Sequence, residues 1–266
     1  MIINKNFVLI IISFFFLGNC KNPKNDTKMR KNKVSITKSF YGKTKDNKKV
    51  DLYSFKNENG MQVDIINYGG IITSLKVPDK NGETEDIVLG YNKLEDYINE
   101  NPYFGSIIGR YGNRIAKGKF NLNGNQYTLA TNNDENHLHG GNIGFDKVIW
   151  EAETKINSNS SSLILKYLSK DMEEGYPGNL HTTITYKIIN DNSVEITYEA
   201  QTDKTTVINL TQHSYFNLSG DFNQSILNHK VKINADQFLP VNKSLIPTGK
   251  KLNVSMTPFD FRNYKE

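Results

Sequence analysis

Leu163-Ile164-Leu165-Lys166-Tyr167, Thr183-Ile184-Thr185-Tyr186-Lys187 and Val194-Glu195-Ile196-Thr197-Tyr198 carry apolar or aromatic side chains at alternate positions, with mostly polar ones between. A period of two sends successive side chains to opposite faces of an extended chain, so one face packs while the other meets water. β-branched and aromatic residues suit such a half-buried surface. Val63-Asp64-Ile65-Ile66 and the run from Ile71 to Val77 extend the same pattern upstream. Asn81-Gly82, Asn123-Gly124 and Asp191-Asn192 stand between runs as hairpin or loop breakers. Short alternating runs punctuated in this way predict an all-β chain, an antiparallel β-sandwich rather than alternating α/β units. Only Leu94 to Asn99 reads as helix, and Pro102 ends it quickly. The polar, Ser-rich Asn157 to Ser162 is expected to be a hairpin loop. With no internal repeat, residues 34–266 read as one domain, within the roughly 200–250 residues that β-sandwiches and barrels often reach unsplit.

The ends differ from this body. Residues 1–20 have the layout of an export signal: Lys5, then an apolar run from Phe7 to Leu17 broken only by Ser13, then Gly18-Asn19-Cys20. The run is too short for an ordinary transmembrane helix. Cys20 is the sole cysteine, which excludes an internal disulfide, and its place just after the apolar run resembles the lipid-attachment site of bacterial lipoproteins. Asn19 is bulkier than the small residue usual before such a cysteine, so plain secretion is the rival reading. The expectation is an exported protein, membrane-anchored through Cys20 or periplasmic.

Residues 21–50 hold eleven Lys/Arg against Asp26 and Asp46, whereas residues 51–266 hold 21 Lys/Arg against 26 Asp/Glu. The overall charge of +5 therefore comes from a basic tether over residues 21–33 and its surroundings, while the body is mildly acidic. A tether of this kind suits an anionic membrane surface. No nucleic-acid partner is expected, because basic side chains are not gathered on a recognition module.

Three polar clusters interrupt the strand pattern: Gly109 to Gly118, His137-Leu138-His139-Gly140-Gly141, and Asn209 to Leu218 around His213. His, Arg and Asn among aromatics and glycines suit a site that holds a neutral polyol and moves protons near neutral pH. Arg114 offers a planar fork of donors and Asn113 a donor and an acceptor; the bland alternative sets Arg110 and Arg114 on the surface beside acids. Gly109, Gly112 and Gly118 form no nucleotide cradle, since no helix follows. His137 and His139, one residue apart, would share a face of a strand. With His213 they could hold zinc through three nitrogens, but no other short His/Cys cluster supports a metal, and none is expected. An imidazole at His213 could act as a general acid or simply be a satisfied core histidine. Asp260 could accept hydroxyls from a ligand or pair as an ordinary turn carboxylate with Arg262.

Asn113-Arg114, Leu138-His139-Gly140-Gly141, Gly144-Phe145-Asp146-Lys147, Glu173-Glu174-Gly175-Tyr176-Pro177-Gly178, His213-Ser214-Tyr215-Phe216-Asn217-Leu218 and Leu245-Ile246-Pro247-Thr248-Gly249 occur in the order seen in aldose 1-epimerases, the galactose mutarotase family. The resemblance spans about residues 34–262. It implies a large galactose mutarotase-like β-sandwich that interconverts the anomers of free aldoses such as galactose or glucose by acid/base ring opening and reclosure, without cofactor or metal. By position, Asn113 and Arg114 match sugar contacts, His139 a histidine that binds and polarises the ring-oxygen region, His213 the general acid and Asp260 a hydroxyl-binding carboxylate. The base of the family resembles a glutamate in a Glu-Pro-Gly motif, and no Glu-Pro-Gly occurs in these 266 residues. The expectation is therefore a sandwich incomplete at its C-terminal end and weak or inactive as it stands, with a non-catalytic sugar-binding module on the same fold as the alternative. An epimerase of sugar phosphates would want further Lys/Arg near the site, and a glycosidase would want a pair of carboxylates.

Overall fold

A computed structural model of the chain describes residues 33–99 and 101–265. The export signal, Cys20 and the basic tether up to residue 32 lie outside the described residues. The first sheet is a meander of antiparallel strands in sequence order: β1 (Val34–Lys43), β2 (Lys49–Asn57), β3 (Gln62–Ile66), β4 (Ile72–Pro78) and β5 (Thr84–Asp86). A short helix, α1 (Leu94–Ile98), follows where helix was expected. Five short strands then cross the middle of the chain: β6 (Ile107–Ile108), β7 (Arg114–Ile115), β8 (Lys119–Leu122), β9 (Asn125–Thr128) and β10 (His137–Leu138). The second sheet, again antiparallel and in sequence order, comprises β11 (Glu151–Ile156), β12 (Ser160–Ser169), β13 (Leu180–Ile189) and β14 (Val194–Thr202). Beyond it the described chain has only β15 (Thr211–Gln212), β16 (Gln237–Phe238) and β17 (Leu252–Asn253).

Period-two burial builds the core. On β13, Leu180, Thr182, Ile184, Tyr186 and Ile188 are buried while the residues between them are partly or fully open. Their inward faces meet Tyr53, Phe55, Val63, Ile65 and Leu75 of the first sheet, with Trp150 fully enclosed among them. Polar ties cross the same interface: the Tyr186 hydroxyl donates to the Gly70 carbonyl (2.7 Å) and the Ser161 hydroxyl to the Val34 carbonyl (2.7 Å). Buried polar groups satisfied in this way avoid the cost of desolvation without a partner. The outer face of the first sheet packs Val50 and Ile66 against Leu94 and Tyr97 of α1. The described residues thus form the expected all-β sandwich.

Turn chemistry is local and legible. Asn123 (φ 51°) and Gly124 (φ 81°) both take left-handed backbone in the two-residue connection of β8 to β9, as that hairpin turn requires. Asn157 to Asn159 form the short loop between β11 and β12.

Candidate active site

The central short strands carry the polar clusters together. Pairing of β7 with β10 sets Arg114 opposite Leu138 and Ile115 opposite His137. The chain then leaves the ladder at His139, whose φ of 51° is left-handed, and Asn113 at the other end has φ 59°. This geometry closes a reciprocal pair: the His139 N–H donates to the Asn113 carbonyl (3.0 Å), and the Asn113 N–H donates to Nδ1 of His139 (3.1 Å). A nitrogen that accepts from an amide carries no proton, so the neutral ring keeps its proton on Nε2. Gly140 follows with φ 87°, and a Cβ there would strike the Gly109 carbonyl oxygen, which leaves glycine as the residue that fits.

The left-handed turn at His139 also corrects the expectation that His137 and His139 share a face. His137 is fully buried; its Nδ1 lies 2.8 Å from the Ala130 carbonyl and its Nε2 2.7 Å from the Tyr176 hydroxyl. A carbonyl can only accept, so Nδ1 is the protonated nitrogen and Nε2 accepts from Tyr176. Burial lowers its pKa and favours this neutral form. With both nitrogens committed, His137 cannot join His139 and His213 around a metal.

His213 arrives directly after β15, the strand that crosses the same region. β15 pairs antiparallel with β6, the His213 N–H donates to the Ser106 carbonyl (2.9 Å), and the Gly105 N–H donates to the His213 carbonyl (3.2 Å). The side chain of Gln212 braces this turn, donating to the Gly105 carbonyl and accepting from the Ser214 N–H. The two imidazoles meet edge to face with centroids 5.1 Å apart. Tyr103 touches both rings, at 4.7 Å from His139 and 5.7 Å from His213, and Tyr215 packs on His213 at 5.2 Å. Tyr103 escaped the reading of the sequence; its residue-level signal, a tyrosine in Pro-Tyr-Phe-Gly after a short helix, is no different from that of a core aromatic.

Burial is the main reason that the His139 pKa falls to about 4, with repulsion from His213 and Arg114 adding to it. His139 is therefore neutral at physiological pH and presents an Nε2–H donor. Arg114 is aimed by its neighbours: Nε donates to Oδ1 of Asn133 (2.8 Å) and an Nη donates to Oδ1 of Asn113 (3.3 Å). Asn113, His139, His213, Gln212 and Ser214 line an open cleft of about 470 Å³ together with Asn209 and Thr211. That volume lies in the range of small-molecule sites. The lining mixes donors and acceptors, the composition expected for binding hydroxyls.

Arg110 and Asp260 fall elsewhere. Arg110 is not on the surface: it is 2% exposed and donates to the carbonyls of Ser169, Lys170, Pro177 and Gly178 and to the Ser169 hydroxyl. It anchors the loop that carries Glu174, whose carboxylate accepts from the N–H groups of Asn142 and Ile143 (2.9 and 3.0 Å). Asp260 is held in a bidentate pair with Arg262 (2.9 and 2.8 Å), which pushes its pKa down to about 2. It is absent from the cleft lining, and the ordinary turn pairing is the arrangement seen. Among the described residues no Asp or Glu lines the cleft.

The chain is a two-sheet β-sandwich whose open cleft is lined by a histidine pair and an asparagine, with Arg114 bonded to that asparagine, and comparison with known proteins defines its class. The profile of the aldose 1-epimerase family matches residues 51–266, and the chain belongs to that family. It is 44% identical over 230 residues to the galactose mutarotase of Sus scrofa, a match covering 86% of this chain and 66% of that protein. It is 37% identical over 220 residues to the aldose 1-epimerase of Escherichia coli K12, covering 83% and 62%. The crystal structure of galactose 1-epimerase from Lactobacillus acidophilus NCFM superposes with a TM-score of 0.78 at 31% identity, covering 87% of this chain and 67% of that one. The chain thus spans about 66% of the length of the galactose mutarotase it matches.

Proposed function

We propose that this protein binds a free aldose such as galactose or glucose and serves the interconversion of its α and β anomers. The observation that carries the reading is the His139–His213 pair, 5.1 Å apart, meeting Asn113 at one hydroxyl-binding cleft in a chain of the aldose 1-epimerase family. Anomers interconvert when the bond between C1 and the ring oxygen breaks and re-forms. A proton must reach the ring oxygen while another leaves the C1 hydroxyl, so that neither a free alkoxide nor an oxonium has to form. In the proposed arrangement His213 donates to the ring oxygen while the C1 hydroxyl passes its proton to solvent water in the open cleft. The neutral His139 donates its Nε2–H to the sugar, and Asn113 with Arg114 fixes the neighbouring hydroxyls. After rotation about C1–C2 the C5 hydroxyl attacks the aldehyde from the other face, giving its proton back to His213 while water returns one to the carbonyl oxygen.

The absence of a carboxylate from the described cleft lining favours one second reading, a sugar-binding module without turnover. Polarimetry on α-D-galactose with parallel sugar titration separates the two. The enzyme reading expects faster loss of optical rotation. It also expects His213→Asn to lower the rate by about a hundredfold or more while affinity stays near that of the parent. Binding without acceleration selects the module, and no binding of either anomer defeats both.

A further inference from the structure

The adjacent glutamates of Glu173-Glu174-Gly175-Tyr176-Pro177-Gly178 hold different partners. Glu173 accepts from the Tyr167 hydroxyl (2.6 Å), on the β12 strand that leads into this loop. Glu174 reaches across to another segment. Its Oε2 accepts from the Asn142 N–H (2.9 Å) and its Oε1 from the Ile143 N–H (3.0 Å). Bonds from amides to a carboxylate are charge-assisted and stronger than those between neutral groups.

The segment so held continues the turn that carries His139. His139, Gly140 and Gly141 take φ of 51°, 87° and 109° in succession, and the first of these is a conformation that a residue with a Cβ adopts only when its surroundings enforce it. Asn132 closes the turn from within, donating to the Leu138 and Gly141 carbonyls and accepting from the Leu138 N–H. Glu174 closes it from outside: a Cβ on Gly141 would strike the Glu174 carboxylate, so glycine there admits the close approach. The base of Glu174 is itself fixed. Arg110 binds carbonyls on both sides of it, Ser169 and Lys170 before and Pro177 and Gly178 after. Tyr176 is buried with its hydroxyl 2.7 Å from Nε2 of His137.

We propose that Glu174 is a positioning residue for His139: by pinning the N–H groups of Asn142 and Ile143 it fixes the turn that aims the imidazole into the cleft. The inference rests on the proposed aldose reading for what His139 does once aimed. Glu174 is absent from the cleft lining and acts through the backbone. The ring it aims is held at Nδ1 by the Asn113 N–H (3.1 Å), the bond that leaves the proton on Nε2. Releasing the turn frees the ring from Asn113, and with it the single tautomer. A reacting group displaced by about 1 Å can cost about a hundredfold in rate.

The test compares Glu174→Ala, Glu174→Gln and Glu173→Ala in the full chain, each at a temperature where circular dichroism shows it folded. Ring 15N NMR at pH 7 reads the His139 tautomer. The parent is expected to hold the Nε2–H form and Glu174→Ala to show a mixture of both forms. Glu174→Gln, which keeps one acceptor oxygen, and Glu173→Ala should resemble the parent. Should Glu174→Ala fail to fold, Glu174→Met, which keeps the stem and loses both oxygens, carries the same expectation. Polarimetry on α-D-galactose should follow the tautomer, with kcat lower by about tenfold or more in Glu174→Ala. An unchanged tautomer in that variant, or an equal change in Glu173→Ala, overturns the positioning role. The tautomer is read without turnover, so a parent that does not mutarotate but whose tautomer follows Glu174 defeats the enzyme reading only. A parent that mutarotates and is indifferent to Glu174→Ala defeats the positioning role only.

Discussion

Residues 34–202 and residues 203–265 treat their apolar side chains in opposite ways. In the first region alternate residues of two sheets meet and enclose Tyr53, Phe55, Trp150, Ile184 and Tyr186. In the second, Val254 is the only described large apolar side chain classed as buried, while Phe222, Leu227, Ile233, Leu239, Met256 and Phe259 stand open. The second region is held to the first by backbone hydrogen bonds, such as Asn209 to Arg110 and Asn217 to Ile87, and by side-chain bonds such as Asn209 to the Gly112 carbonyl and Gln212 to the Gly105 carbonyl. The candidate site straddles the seam: His139 lies in the first region and His213 in the second, directly after β15. Its geometry therefore depends on how firmly β15 docks on β6.

The sharpest way to break this contrast is to empty the enclosed core and compare it with an open position. Trp150→Ala should cost about 3–5 kcal/mol, through lost burial and a residual cavity, whereas Leu227→Ala, at an 80% exposed residue, should stay within about 0.5 kcal/mol. Denaturant midpoints at constant m-value report both, and comparable losses would erase the distinction.

A smaller effect is expected at the buried arginine. Arg110→Met keeps the apolar stem but leaves the Ser169, Lys170, Pro177 and Gly178 carbonyls without their donor, at a cost of about 2–4 kcal/mol. The loop carrying Glu174 should loosen with it, seen as faster hydrogen exchange at Asn142 and Ile143. A stability change below about 0.5 kcal/mol would mean that the carbonyls find other partners.

Acid should reveal a third, more modest difference. In the unfolded chain an imidazole takes up its proton near 6.5, but His139 in the folded state does so only near 4. The stability tied to the neutral buried ring is thus fully present above about pH 6.5 and is lost as pH falls towards 4, by up to about 3 kcal/mol. Below that the contribution of this group is flat. His139→Gln should flatten this part of the pH profile, and an unchanged slope would assign it to other groups.

The sheets were legible in the sequence because burial alternation is a local property. The runs at Leu163–Tyr167, Thr183–Lys187 and Val194–Tyr198 fall within β12, β13 and β14, and the Asn-Gly pairs fall at turns. The site was legible in its parts: Asn113, Arg114, His139 and His213 could be picked out as polar residues among glycines and aromatics. Roles within it were less legible. His137 and His139 look equivalent as letters, yet one is buried between Ala130 and Tyr176 while the other turns into the cleft. Arg110 and Arg114 look equivalent too, yet one closes a loop of carbonyls. Asp260 shows that a carboxylate two residues from an arginine can be taken up by that neighbour.

By itself the sequence determined the strand periodicity, the turns and the residue types capable of sugar chemistry, because each depends on neighbours close along the chain. Tertiary structure alone decided which histidine faces the cleft, that Tyr103 packs on both His139 and His213, and that Arg110 is structural. Those outcomes depend on left-handed turns at His139 and Tyr103 and on pairings between distant segments, β7 with β10 and β6 with β15. No local pattern encodes them, since the energy that selects them is shared across the packed sandwich.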